Sequence, residues 1–174
     1  MKNILAISGS LRAKSTNLTI LEIIAEMFVN KINLTIYDGL GDLPHFNPDL
    51  DTDKPLAAVT DLRQQINWCD GVLICSPEYV FSVPAVLKNA LEWTVSSADF
   101  HNKPTALITA SILGEKAHES LLLILKTIDA KLGENFALLV SHAQTKIKNR
   151  KVSDAETVEQ LNLLIESFLL TIDK

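Results

Sequence analysis

The chain has 174 residues, the length of one compact domain, and a fold of that size buries about 70% of its unfolded surface without a disulfide or metal staple. Apolar residues at 47%, charged residues at 21% and only six Gly and six Pro exclude a disordered, collagen-like or low-complexity chain. The formal charge of -5 supplies no basic field for gripping a phosphate backbone, so nucleic acid is not expected as a partner.

Short apolar runs alternate with longer segments of helical period, the pattern of an α/β domain with a parallel sheet. In chain order the expected strands are Ile4 to Ile7, Asn33 to Tyr37, Gly71 to Cys75, Thr105 to Thr109 and Phe136 to Val140. Several lack alternation, as strands buried on both faces should. Between the first two, Leu21, Ile24 and Phe28 mark a helical stripe; a second helix is expected from Leu56 to Trp68. Val83, Val86, Leu87, Ala90 and Leu91 mark the third helix, with Pro84 in its first turn, and Leu121, Ile124, Leu125, Ile128 and Leu132 mark the fourth. The last, carrying Val158, Leu161, Ile165, Phe168 and Ile172, is expected to start near a Ser153 cap. Asp38 to Pro55, rich in Pro, Gly and Asp, reads as a surface loop. No repeat or linker divides the chain, so one domain is expected over residues 1–174.

Cys69 and Cys75 cannot form a disulfide framework and lack the clustering of a zinc site, which suits a reducing cytoplasm. The apolar start is interrupted too soon for a signal peptide, and no stretch reaches the roughly 20 apolar residues of a membrane span. Cys75 reads as a core residue, Trp68 and Trp93 as packing or subunit-contact residues, and Lys146 to Lys151 as a solvated basic turn.

Ligands of open α/β sheets bind beyond the carboxyl ends of the strands. The first such segment, Ser8 to Asn17, carries four hydroxyl side chains, Gly9, Asn17, Arg12 and Lys14. Hydroxyls, a close backbone at Gly9 and the amides opening the next helix suit a phosphate, and Arg12 adds charge-assisted bonds; the plainer alternative is a turn capped by Ser15 or Thr16. Lys14-Ser15 imitates the end of a Walker loop, but Ser8 and Ala13 stand where that loop needs Gly; a dinucleotide fingerprint also fails for want of further glycines. Ser76 to Pro84 reads as a proline-stiffened, aromatic-bearing wall able to meet the edge of a flat heteroaromatic ring. Of four scattered histidines, only His118 and His142 fall near this edge of the sheet. A receiver domain of the same topology is disfavoured because Ser8-Gly9 and Cys75-Ser76 leave no acidic pocket at the strand ends.

Two of these segments resemble motifs of the NADPH-dependent FMN reductases, a flavodoxin-like family that includes quinone, chromate and azo-compound reductases. Gly9-Ser10-Leu11-Arg12 with Ser15 and Asn17 is similar to its GSLRxxSxN phosphate loop. Ser76-Pro77-Glu78-Tyr79, then Ser82, Pro84 and Leu87-Lys88-Asn89-Ala90-Leu91-Glu92-Trp93, resembles its SPEYxxSxPxxLKNALDW segment.

The resemblance implies a three-layer sandwich with a five-stranded parallel sheet in order 2-1-3-4-5 and non-covalent FMN at its carboxyl edge. Ser10, Arg12, Ser15 and Asn17, with the Thr16 amide, would bind the phosphate. Pro77, Glu78, Tyr79 and Val80 would line the isoalloxazine, mainly through backbone groups, with Ser111 nearby. It also implies a homodimer or homotetramer, NADPH or NADH as co-substrate, and a ping-pong transfer to quinones or similar small acceptors; an FMN-binding or regulatory protein without turnover is the alternative. Val80 replaces the Asn frequent in the family after the Tyr, and Ile112, Leu113 and Glu115 stand where the family has a Gly-rich turn near the ring.

Overall fold

The structure is a computed structural model and describes residues 1–173. Five parallel strands form the central sheet: β1 (Lys2–Ser8), β2 (Ile32–Ile36), β3 (Gly71–Ser76), β4 (Thr105–Ala110) and β5 (Ala137–Val140). Their order is β2-β1-β3-β4-β5, with Ser8 opposite Cys75 and Ser76 opposite Thr109 in register. The sandwich topology and strand order implied by the family motifs are therefore those of the molecule. The strands sit within one or two residues of their expected places, because β1, β3 and β4 are apolar on both faces and leave no other reading.

Alternate strand residues feed two separate cores. Ile4, Ala6, Leu73, Cys75, Ala106, Ile108 and Val140 meet α1 (Thr16–Met27) and α6 (Ala155–Ile172) on one face. Leu5, Ile7, Val72, Ile74 and Leu107 meet α2 (Ala57–Trp68), α3 (Ala85–Glu92) and α4 (Glu115–Thr127) on the other. Each fully buried Leu or Ile contributes roughly 1.5–3 kcal/mol, so the sheet is clamped from both sides by the same mechanism.

Several boundaries differ from the sequence reading. Asp154, rather than Ser153, caps α6: its carboxylate accepts from the Thr157 amide at 3.0 Å, and the Thr157 bonds hold the carboxyl below its ordinary range. Pro84 stands at the cap of α3 and not inside it. The stripe expected to run to Leu132 stops earlier, because α4 ends at Thr127 and Asp129 turns left-handed at φ 59°. Further short elements carry no periodic signal in the sequence: α5 (Ala143–Lys146) and a hairpin of β6 (Ile147–Lys148) and β7 (Lys151–Val152), which occupies the basic run.

The segment from Asp38 to Pro55 is more than a surface loop. It has two 3-10 turns, at Gly39–Gly41 and Pro48–Leu50, and sends Leu40 and Leu43 into the core. Trp93 is fully buried; its Nε1 donates to Pro44 O at 2.8 Å and its ring meets Phe46 edge-on at 5.0 Å. Asn89 holds the same segment through Pro44 O and the Phe46 amide, and Arg63 pairs with the nearly buried Asp51 at 2.7 Å. Trp93 thus has an internal role, whereas Trp68 is 77% exposed. No helix among the described residues is long and apolar enough to cross a membrane.

Candidate functional site: a cleft at the carboxyl edge of the sheet

Strand β1 ends against β3, and the chain leaves it still paired, with Gly9 N donating to Cys75 O at 2.9 Å. A Cβ at Gly9 would stand 2.5 Å from Ser76 Oγ, so the close approach of the two strand ends requires glycine here. Beyond it, Ser8 Oγ donates to Ser10 O, and Ser15 N donates to Arg12 O, folding residues 12–15 into a turn that delivers the chain to α1. Ser15 caps that helix, its Oγ accepting from Leu18 N at 3.0 Å.

The cap leaves the amides of Thr16 and Asn17 without hydrogen-bond partners among the described residues, at the positive end of the helix. The exposed Arg12 guanidinium has no carboxylate partner among the described residues either. Free amides, buried hydroxyls at Ser10 and Ser15 and an uncommitted guanidinium form a donor set to which no carboxylate of the described residues is bonded, which suits a phosphate monoester.

The second wall follows β3. Tyr79 and Ser82 exchange both backbone hydrogen bonds at 3.0 Å across Val80 and Phe81, whose φ values of 52° and 54° make this a mirror-image tight turn. The turn brings Tyr79 Oη to 3.2 Å from Ser10 Oγ, joining the two walls. It also lifts Val80 almost entirely into solvent, 96% exposed, and Phe81 with it.

The third wall is the turn after β4. Ser111 N donates to Val140 O, His142 N to Ile112 O and Ala143 N to Ser111 O, so the turns following β4 and β5 are fastened together. Gly114 stands at φ 95° at the cap of α4, where a Cβ would lie 2.9 Å from Leu139 Cδ1. The Glu78 carboxylate reaches across from the second wall, accepting from Ala117 N at 2.9 Å and Gly114 N at 3.3 Å.

Together these walls enclose a cleft of about 230 Å³ lined by Ser10, Arg12, Ser15, Thr16, Asn17, Pro77, Glu78, Tyr79 and Ser111, joined by Ala110, Ile112, Ala143 and Gln144. Val80 is not part of this lining, and its side chain projects into solvent from the left-handed turn. Of the three bulky residues expected beside the ring, only Ile112 reaches the cleft. Ala143 and Gln144 were missed; the segment leaving β5 was visible, but a four-residue helix carries no periodic signal.

Asn17 lines the cleft, and its side chain is committed within the protein. Its side chain is buried, donates through Nδ2 to Ala110 O at 3.2 Å and accepts through Oδ1 from Cys75 Sγ at 3.3 Å. Cys75 is wholly buried, and burial pushes its thiol well above the ordinary range, so it stays neutral. His118 packs on Thr109, Nδ1 to Oγ1 2.9 Å, outside the cleft lining, and burial lowers its pKa.

Comparison with known proteins agrees with this geometry. The chain is 32% identical to the NADH:(hydroxy)cinnamate reductase subunit CrdA of Vibrio ruber, across 97% of this chain and 86% of that protein. It is 30% identical to a 2-hydroxy-1,4-benzoquinone reductase of a Burkholderia species, across 95% and 93%. Among solved structures, FerB, a flavoenzyme NAD(P)H:(acceptor) oxidoreductase of Paracoccus denitrificans, superposes with a TM-score of 0.80 at 27% identity, covering 99% of this chain and 98% of that one. The family model of the NADPH-dependent FMN reductases matches residues 2–145, which include every residue lining the cleft, and the chain belongs to that family.

Proposed function

We propose that the chain is an FMN-dependent NAD(P)H oxidoreductase passing reducing equivalents to quinones or similar small acceptors, and that the cleft at the carboxyl edge is where FMN is held. The observation that carries this reading is the unpartnered donor set of Arg12 and the Thr16 and Asn17 amides, placed in one cleft with the Pro77–Tyr79 backbone. The phosphate would lie against Ser10, Arg12, Ser15 and the first amides of α1. The ring would lie between the Pro77–Tyr79 wall and Ser111, where backbone groups and Tyr79 supply edge and apolar contacts.

When bound, FMN supplies the hydride chemistry, and the protein supplies position and electrostatics. Ser10 and Tyr79 hold the phosphate loop against the aromatic wall, while Asn17 ties the start of α1 to the ends of β3 and β4. No histidine or cysteine lines the cleft among the described residues, and its carboxylate, Glu78, is committed through both oxygens to the Gly114 and Ala117 amides, so no side-chain acid or base is assigned. Donor and acceptor use the open face in turn. Their occupancy is tested by steady-state rates on FMN-loaded protein: parallel double-reciprocal lines are expected, and intersecting lines overturn the alternation.

Residues 1–174 act as a single FMN-binding domain, a reading supported by two cores that share one sheet. Association into a homodimer or homotetramer is supported by exposed apolar side chains such as Val95 and Leu123, which border a groove between α3 and α4. Light scattering of the purified protein gives the subunit number directly. Two free thiols suit the cytoplasm.

The decisive experiment is an FMN titration of the apoprotein followed by NAD(P)H oxidation with a small quinone. Micromolar or tighter binding with turnover above that of free FMN is expected. Binding without turnover would instead identify a flavin carrier or sensor, and no binding would overturn the site.

A further inference from the structure

Helix α4 opens on a residue that cannot cap it. Gly114 has no side chain, and its positive φ together with the nearby Leu139 leaves no room for one. The free N-terminal amides are satisfied from elsewhere in the chain: one carboxylate, that of Glu78, takes both the cap amide of Gly114 and the third helical amide of Ala117. In an ordinary capping box those two amides are satisfied by two residues of the helix itself. Here the acceptor belongs to the opposite wall of the cleft, and its own backbone leads into Tyr79, which touches Ser10.

This arrangement has a mechanical and an electrical consequence. Mechanically, the Pro77–Tyr79 wall and the Ala110–Ile112 turn are joined through the start of α4, so neither shifts without the other. Electrically, the Glu78 carboxylate sets a full negative charge on this side of the cleft against about half a positive charge at the helix terminus, and Lys116 in the first turn of α4 feels that carboxylate as well. A negative charge near a bound redox group disfavours the state holding more electrons.

We propose that Glu78 is a positioning residue that clamps the start of α4 to the opposite wall of the cleft and lowers the reduction potential of the FMN held between them. The proposal rests on the FMN reading given above. It adds a role for the side chain of a residue expected to serve the flavin mainly through its backbone.

The test uses Glu78→Gln, which keeps an acceptor oxygen and loses the charge, and Glu78→Ala, which loses both. Glu119→Gln, an exposed carboxylate on the outer side of α4, serves as the control. Thermal unfolding of each apoprotein establishes that it is folded. Hydrogen exchange in the apoprotein reads the clamp without any flavin: the amides of Gly114 and Ala117 are expected to exchange about tenfold faster in Glu78→Ala, as for a lost charge-assisted hydrogen bond. The potential of the holoprotein reads the charge. In Glu78→Gln the ratio of affinities for reduced over oxidised FMN is expected to rise about tenfold, which is about 30 mV for a two-electron couple. Glu119→Gln should leave both readings within twofold of the wild type. Unchanged exchange in Glu78→Ala, or an unchanged potential in Glu78→Gln, overturns the proposal. If wild-type protein fails to bind FMN, the site reading itself falls, a result that the titration reports before any variant is made.

Discussion

Asn17 Nδ2 donates to the carbonyl oxygen of Ala110 across 93 positions of sequence, at 3.2 Å, inside a part of the cleft wall that water does not reach. The bond makes Asn17 a structural tie before it is anything else. Asn17→Ala leaves Ala110 O without its donor and empties a buried volume, so the apoprotein is expected to lose about 1–3 kcal/mol. Urea unfolding in the absence of flavin measures this, and an unchanged midpoint would show that the tie is idle.

Arg12 is expected to behave in the opposite way. Its guanidinium is exposed and has no ion-pair partner among the described residues, so Arg12→Ala should leave the apoprotein's unfolding midpoint where it is. FMN affinity should fall about 10- to 100-fold, the range for one charge-assisted hydrogen bond to phosphate. Fluorescence titration at two salt concentrations checks both parts: the wild-type affinity should weaken more steeply with salt than the variant's.

The turn at Val80 and Phe81 stores strain. Two successive non-glycine residues hold left-handed φ values, and one is β-branched, the least tolerant class in that region. Replacing the pair by Asn-Gly, the favoured residues of this turn type, is expected to stabilise the protein by about 1 kcal/mol or more. Calorimetry of the double variant gives the sign; a lower melting temperature would mean that the exposed side chains contribute contacts outweighing the strain.

Tyr37 Oη is buried with no hydrogen-bond partner, the lone such side-chain group among the described residues. Burial first, then the carboxylates of Asp61, Asp38 and Asp42, push its pKa up from 10.0 to about 12. Because the folded value is the higher one, the associated stability is intact below pH 10 and is lost as the pH climbs toward about 12. Tyr37→Phe removes both the orphan hydroxyl and this alkaline loss. The variant is expected to be about 1 kcal/mol more stable at neutral pH, with the gap widening between pH 10 and 12. Denaturant unfolding at pH 7 and pH 11 decides it.

The centre of the sheet was legible because β1, β3 and β4 are buried on both faces, which leaves an unbroken apolar run that no exposed helix imitates. The phosphate loop was legible because its residues act close to where they stand in sequence. What stayed hidden depended on distant partners. Asn17 looks like a loop ligand until Ala110 is brought beside it, and nothing near Glu78 in sequence hints at amides more than thirty positions later. The exposure of the Val80 side chain was hidden for a local reason: its left-handed backbone contradicts the preference of a β-branched residue, and the paired Tyr79–Ser82 bonds hold it there.

The pairing of β1 with β3 also governs how the molecule must come together from the unfolded chain. Ser8 meets Cys75 across sixty-odd intervening residues, so the centre of the sheet closes only after a long search. The N-terminal part of the chain can build its β1-α1-β2 unit early, since that needs only the first 36 residues. The cleft has no such shortcut, because its walls come from residues scattered between Ser10 and Gln144. Refolding should therefore recover helical signal before any capacity to quench added flavin, and the lag between the two is the time taken for the last strands to dock.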